Sequence, residues 1–149
     1  MTKVIVGIDP GKENCAVVAY NQADRQMIYF KGQNAKAWAH LLNLKDMFGD
    51  SLEVRIELPV DTQYARNRNG SANERVAKAR DFGINRGFAY AMLDFCKVSG
   101  IKAKHHDCGR ATKELKKMYV ERKLQALNLL QPANQHCFDA AYIILDEIQ

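Results

Sequence analysis

The run Val4-Ile5-Val6-Gly7-Ile8-Asp9-Pro10-Gly11 constrains this chain more than any other stretch. Its apolar residues fall on both parities, so it suits a strand covered on both faces rather than one with a wet side. Such a strand lies in the middle of a mixed sheet. The run ends on one carboxylate, Asp9, and Pro10-Gly11 turns the chain at once. A bare carboxylate in an apolar layer costs several kcal/mol. Asp9 therefore either binds a cation or caps the turn that follows, and the segment alone allows both.

The flanking pattern supplies the rest of a sheet. Asn14 to Tyr20 and Gln26 to Lys31 are β-rich, and the polar turn Asn21-Gln22-Ala23-Asp24 joins them as a hairpin. A helix is predicted from Ala35 to Phe48, with Asn34 as N-cap, Gly49 as stop and an apolar stripe of Trp38, Leu41, Leu42 and Leu44. Leu52 to Leu58 alternates apolar and charged residues as a fourth strand, and Pro59 ends it. A loop rich in Arg and Asn, Thr62 to Gly70, leads to the capping box Ser71-x-x-Glu74 and the longest helix, to about Val98. Within that helix Gly83, Gly87 and Ala91 recur every fourth residue. Glycine costs about 1 kcal/mol in a helix interior, so that face must be closely approached, by the chain's own sheet or by a partner helix. Ile101 to His106 is a fifth strand. Helices follow from Arg110 to Leu130, which Tyr119 could interrupt, and from Gln135 to Ile148. The order βββαβαβαα predicts an α/β fold, a mixed five-stranded sheet flanked by helices. With no repeat and no Pro/Gly/Ser linker, 149 residues are expected to form a single domain, 1–149.

Lys and Arg number 22 against 17 Asp and Glu, a net charge of +5 that favours a polyanionic partner, nucleic acid first. No apolar run reaches bilayer length and the N-terminus enters a strand directly, so the expected location is cytoplasmic, with no membrane partner. Cys15, Cys96, Cys108 and Cys137 form no CxxC pair and suit reduced, packed thiols. His105-His106-x-Cys108, with His136-Cys137 beyond, holds residue types that bind zinc, but the spacing fits no standard zinc module.

Four residues could carry chemistry together. Asp9 ends the first strand, Glu57 lies near the end of the fourth, and His136 and Asp139 open the last helix. The i, i+3 spacing sets His136 and Asp139 on one helical face, and the apolar run Ala140 to Leu145 packs that helix on the sheet. Carboxylates with one imidazole, gathered from separate elements, suit magnesium or manganese. Two such ions about 3.5–4 Å apart can activate water and stabilise a leaving oxygen in phosphodiester cleavage. Each residue also has a plain structural reading. Glu57 could be a surface charge, His136 a locally bonded helix-start residue, and Asp139 the partner of a nearby lysine.

Gly7-Ile8-Asp9-Pro10-Gly11, Ile56-Glu57 at the end of strand four, and His136-x-x-Asp139-Ala140-Ala141 resemble the RuvC-type Holliday-junction resolvases of the RNase H-like fold. The resemblance spans nearly the whole chain and includes the long helix with Ala79-Arg80-x-x-Gly83. It implies a homodimeric endonuclease that nicks four-way DNA junctions, with Asp9, Glu57, His136 and Asp139 holding two magnesium ions, for which manganese could substitute. Lys113 lies where that family places a basic residue. Lys116, Lys117, Arg122 and Lys123 continue the basic stretch and could grip phosphates or form a solvated helix face. The long helix is the family's dimer contact, a role for Gly83, Gly87 and Ala91. Two features depart from the family. Met118-Tyr119-Val120-Glu121-Arg122 stands where a Gly-rich basic loop is frequent, and Leu58-Pro59-Val60 replaces an aromatic after the strand-four Glu. The next aromatic is Tyr64, beside Arg66 and Arg68, and could stack on a base. Such departures suit a divergent viral or organellar branch, which would act in a host cell or organelle. Other readings are an RNase H-like nuclease for flaps, forks or RNA–DNA hybrids, and a non-catalytic junction-binding protein. An actin-like or sugar-kinase ATPase is disfavoured, because such proteins need two such domains.

Overall fold

Strand β1 (Val4–Asp9) forms the middle of a five-stranded sheet of order β3-β2-β1-β4-β5. The computed structural model describes residues 2–59, 70–107 and 109–149. Tyr64, Arg66, Arg68 and Cys108 lie outside the described residues, as does most of the Thr62–Gly70 loop. Strands β2 (Cys15–Asn21) and β3 (Gln26–Gly32) run antiparallel in a meander, while β4 (Leu52–Glu57) and β5 (Lys102–His106) run parallel to β1 and to each other. Helices α1 (Asn34–Phe48) and α2 (Ala72–Val98) cover one face, and α3 (Lys113–Ala126) and α4 (Gln135–Ile143) the other.

Both faces of β1 are buried, which is why its apolar residues do not alternate with polar ones. Val4, Val6 and Ile8 pack with Leu41, Leu44, Met92 and Cys96. Ile5 packs with Val120, Leu124, Ala140 and Ile144 on the other side. Each such fully buried side chain contributes about 1.5–3 kcal/mol relative to exposure. Gly7 has a separate role. A Cβ there would collide with the carbonyl oxygen of Ala140, so the glycine lets α4 lie directly on the strand.

The element order is as expected, and several boundaries differ for local reasons. Helix α1 is capped by Gln33 rather than Asn34, because the Gln33 carbonyl accepts from Ala37 while the Asn34 N–H donates to the Lys12 carbonyl. Leu42 is exposed, and Ala37 takes its place on the buried stripe with Leu41 and Leu44. Helix α3 starts only at Lys113, since the Thr112 hydroxyl accepts from the Leu115 N–H, and it runs unbroken past Tyr119. It stops at Ala126 instead of Leu130. Asn128 adopts the left-handed conformation, so that the Leu129 N–H bonds to the Leu124 carbonyl and the Asn128 N–H to the Gln125 carbonyl. That pair of bonds is a Schellman stop. Helix α4 ends at Ile143 and tightens into a 3-10 turn over Leu145–Glu147. Arg55 of β4 holds that turn, donating at 2.8 Å to Asp146 and at 2.7 Å to Glu147.

Cys15, Cys96 and Cys137 are buried free thiols. His105 and His106 are consecutive strand residues and therefore face opposite sides of the sheet. The His105 Nε2–H donates to the Ala89 carbonyl at 3.0 Å, under α2. Among the described residues, no three His, Cys, Asp or Glu side chains are grouped tightly enough to hold a metal ion, zinc included. No helix among them is long and apolar enough to cross a membrane.

Candidate active site

Parallel pairing of β1 with β4 sets Ile8 opposite Ile56, so the next residues, Asp9 and Glu57, stand side by side at the carboxyl edge of the sheet. Crevices beyond such strand ends are the usual ligand sites of α/β sheets. Helix α4 brings its own pair to the same edge. Asn134 caps it, accepting from the Cys137 N–H at 2.9 Å, and Gly7 lets the helix approach. Asp139, the neighbour of Ala140, is thereby only 6% exposed at the strand ends. The result is a cleft of about 630 Å³ lined by Asp9, Glu57, His136 and Asp139, with Lys113 and Lys116 from α3 and Lys12 from the β1–β2 turn. Lys78, Phe82 and Asn85 of α2 close the opposite side.

Electrostatics inside the cleft are dominated by crowded carboxylates. Burial pushes Glu57 up to about 7, and the negative charge of Asp9 adds to the rise. Burial also raises Asp139, against a hydrogen bond from Gln135 that lowers it. Gln135 Nε2 makes that bond at 2.8 Å and also donates to the Lys113 carbonyl at 3.2 Å, tying the start of α4 to the start of α3. The His136 Nδ1–H donates to Asp9 Oδ2 at 3.2 Å, a contact that raises the imidazole and leaves Nε2 as its second nitrogen.

Lys116 differs from its sequence reading. It is 7% exposed, with its ammonium 3.5 Å from Glu57 Oε1 and over the Tyr142 ring. It is therefore buried as a counter-charge to Glu57 rather than on a solvated helix face, and it lines the cleft. The signal was in the sequence, because Lys116 shares the i, i+4, i+8 stripe of Val120 and Leu124, both buried. Lys113 does reach the cleft. Lys117 is exposed, pairs with Glu121 and lies over Phe138, and Lys123 is half-buried in the last turn of α3. Gln135, Lys12, Lys78 and Asn85 were not singled out by sequence. Their spacing carries no motif, and only the fold brings them to one cleft.

The oxygen donors of the cleft are of the kind that hard divalent cations prefer. Asp9, Glu57 and Asp139 line one cleft, and the two whose protonation is raised are those that a cation would relieve. The side chains stand paired, Asp9 with His136 and Glu57 with Lys116, and among the described residues no three His, Cys, Asp or Glu side chains are placed to hold a metal ion together. Magnesium does not require such a group, since it keeps several waters and is held through one or two carboxylates plus substrate phosphate.

The strand order, the parallel β1–β4 pair and the helices on both faces define an RNase H-like α/β fold. A solved structure of this build is the Holliday junction resolvase of fowlpox virus, similar with a TM-score of 0.50 and 15% identity over 97% of each chain. No protein-family model matches the chain, and no curated protein does.

Proposed function

We propose that the protein is a magnesium-dependent endonuclease that nicks four-way DNA junctions as a homodimer. The observation that carries this reading is the convergence of Asp9, Glu57 and Asp139, from three separate elements, in one open cleft with lysines at its rim. The sequence motifs in these elements, and the resolvase structure with the same fold, support it further.

Asp9, Glu57 and Asp139 would hold the ions, with His136 as a ligand or as the group that orients water. Bound divalent ions supply charge neutralisation at the phosphate and a water of lowered pKa. The chain's own residues do the remaining work. Lys116 neutralises Glu57 when the cleft is empty and keeps positive charge beside the carboxylates when a phosphodiester enters. Gln135 orients Asp139 through the 2.8 Å bond. Asp9 fixes the His136 ring by its Nδ1–H, so that Nε2 is the nitrogen available to a water or an ion. Lys113 at the cleft rim attracts the phosphate.

Dimerisation would use the exposed glycine face of α2. A Cβ built on Gly83 or Gly87 meets nothing within 4 Å, so among the described residues the sheet does not approach that face. That open face leaves room for a partner helix and supports this reading of the glycine repeat. Two clefts held on one junction would make paired nicks.

The test is incubation of the purified protein with a labelled synthetic four-way junction, with and without magnesium, beside duplex, flap and RNA–DNA hybrid controls. Paired nicks only on the junction and only with magnesium are expected. Preference for flaps or hybrids would move the substrate while keeping the site. Junction binding without cleavage in magnesium or manganese would refute the enzyme reading.

A further inference from the structure

Helix α2 is longer than the core needs. Its buried residues, Ala89, Met92 and Cys96, all lie in its C-terminal half, and almost every residue from Ala72 to Asn85 is exposed. At 1.5 Å per residue the part before Arg86 projects about 20 Å beyond the packed half. Helix geometry fixes what this extension presents. At 100° per residue, Lys78, Phe82 and Asn85 fall on the same stripe as Ala89, Met92 and Cys96. The face that packs on the sheet therefore continues as the wall of the carboxylate cleft, and all three side chains line it. Gly83 and Gly87 fall on the opposite side, so the cleft wall and the glycine face do not compete.

The extension is held in place near the site. Arg86 donates to the Pro59 carbonyl at 2.5 Å, two residues beyond Glu57, and the Ser71 hydroxyl caps the far end. Lys78 is exposed and, among the described residues, has no ion-pair partner, although it faces a cleft rich in carboxylates. Asn85 is likewise exposed, two turns along the same stripe, and Phe82 offers apolar surface between them.

The geometry points to this stripe as a second nucleic-acid contact: Lys78 binds a phosphate flanking the scissile one, and Asn85 donates to the same strand. The inference rests on the nuclease reading and adds to it a strand path running between α2 and α3. Lys12 and Lys113, at the other rims of the cleft, extend the same path.

The experiment measures binding of a labelled four-way DNA junction in EDTA, so that no cleavage intervenes, across a salt series. Lys78→Ala is expected to bind roughly tenfold more weakly, with the salt slope reduced by about one, because one phosphate contact is lost. Asn85→Ala is expected to weaken binding at an unchanged slope, since no charge is removed. Lys97→Ala is the control, removing one charge from the same helix about 29 Å from Lys78 along its axis, and is expected to bind as wild type. A Lys78→Ala variant with wild-type affinity and slope would overturn the inference. So would an equal loss in Lys97→Ala, which would make the effect one of net charge. Wild-type protein that binds no junction DNA would overturn the nuclease reading itself, and this inference with it.

Discussion

Replacing Glu57 by Gln should change how stability depends on pH, by an amount the cleft allows to be worked out. Burial and the charge of Asp9 raise Glu57 from 4.5 to about 7, against the opposing pull of Lys116. The folded protein therefore holds this proton to a higher pH than the unfolded chain does. Its contribution to stability is complete below pH 4.5 and is lost as pH rises to about 7. At about 1.4 kcal/mol per pH unit, the loss amounts to about 3 kcal/mol. Asp139 and His136 are raised as well, so each adds a loss of the same sign over its own range. In EDTA, wild-type protein should be clearly less stable at pH 8 than at pH 5, by urea denaturation followed by circular dichroism. Glu57→Gln has no such proton to lose, and its decline over that range should be smaller by about 3 kcal/mol. The same variant should lose nicking, and magnesium should stabilise it less than it stabilises wild type at pH 8. Parallel stability–pH curves for the two proteins would refute the reasoning, because Glu57 would then be ordinary in the folded state.

Three further outcomes follow from the same cleft. Lys116→Met removes the ammonium 3.5 Å from Glu57; it should cost about 3 kcal/mol at pH 8 and much less at pH 5, where Glu57 is protonated, and equal losses at both pH values would deny the pairing. Gly7→Ala drives a methyl into the Ala140 carbonyl and should cost about 1–3 kcal/mol with loss of nicking, as α4 and Asp139 move away; unchanged denaturation midpoints would show the strand and helix are not so close. Asp9→Asn should retain junction binding and abolish cleavage, and it should lower the titration midpoint of the His136 ring, followed by NMR, because the bond that raises it is removed.

Much of this architecture is local in origin and was legible. β1 is an unbroken apolar run because both its faces are buried, and the Ser71 and Gly49 signals at helix ends acted as their chemistry requires. Asp9, Glu57, His136 and Asp139 were nameable because each sits at a defined end of a recognisable element. Boundaries at Gln33, Ala126 and Ile143 were less legible. They depend on a backbone bond from Asn34 to Lys12, on the left-handed turn at Asn128, and on Arg55 gripping Asp146 and Glu147 from another layer.

The sequence by itself determined which segments are strands and helices, in what order, and which carboxylates end them, because periodicity, caps and turn residues act over a few neighbouring positions. Only the tertiary structure decided what faces those carboxylates. Lys116 is a buried counter-charge because α3, packed on α4, sets its ammonium 3.5 Å from Glu57 of a strand far away in the chain, and Lys78 lines the cleft because α2 outruns the core it packs on. A lysine's sequence context is the same whether its helix face meets water or a buried glutamate. The difference lies in desolvation and in a charge supplied by a distant strand.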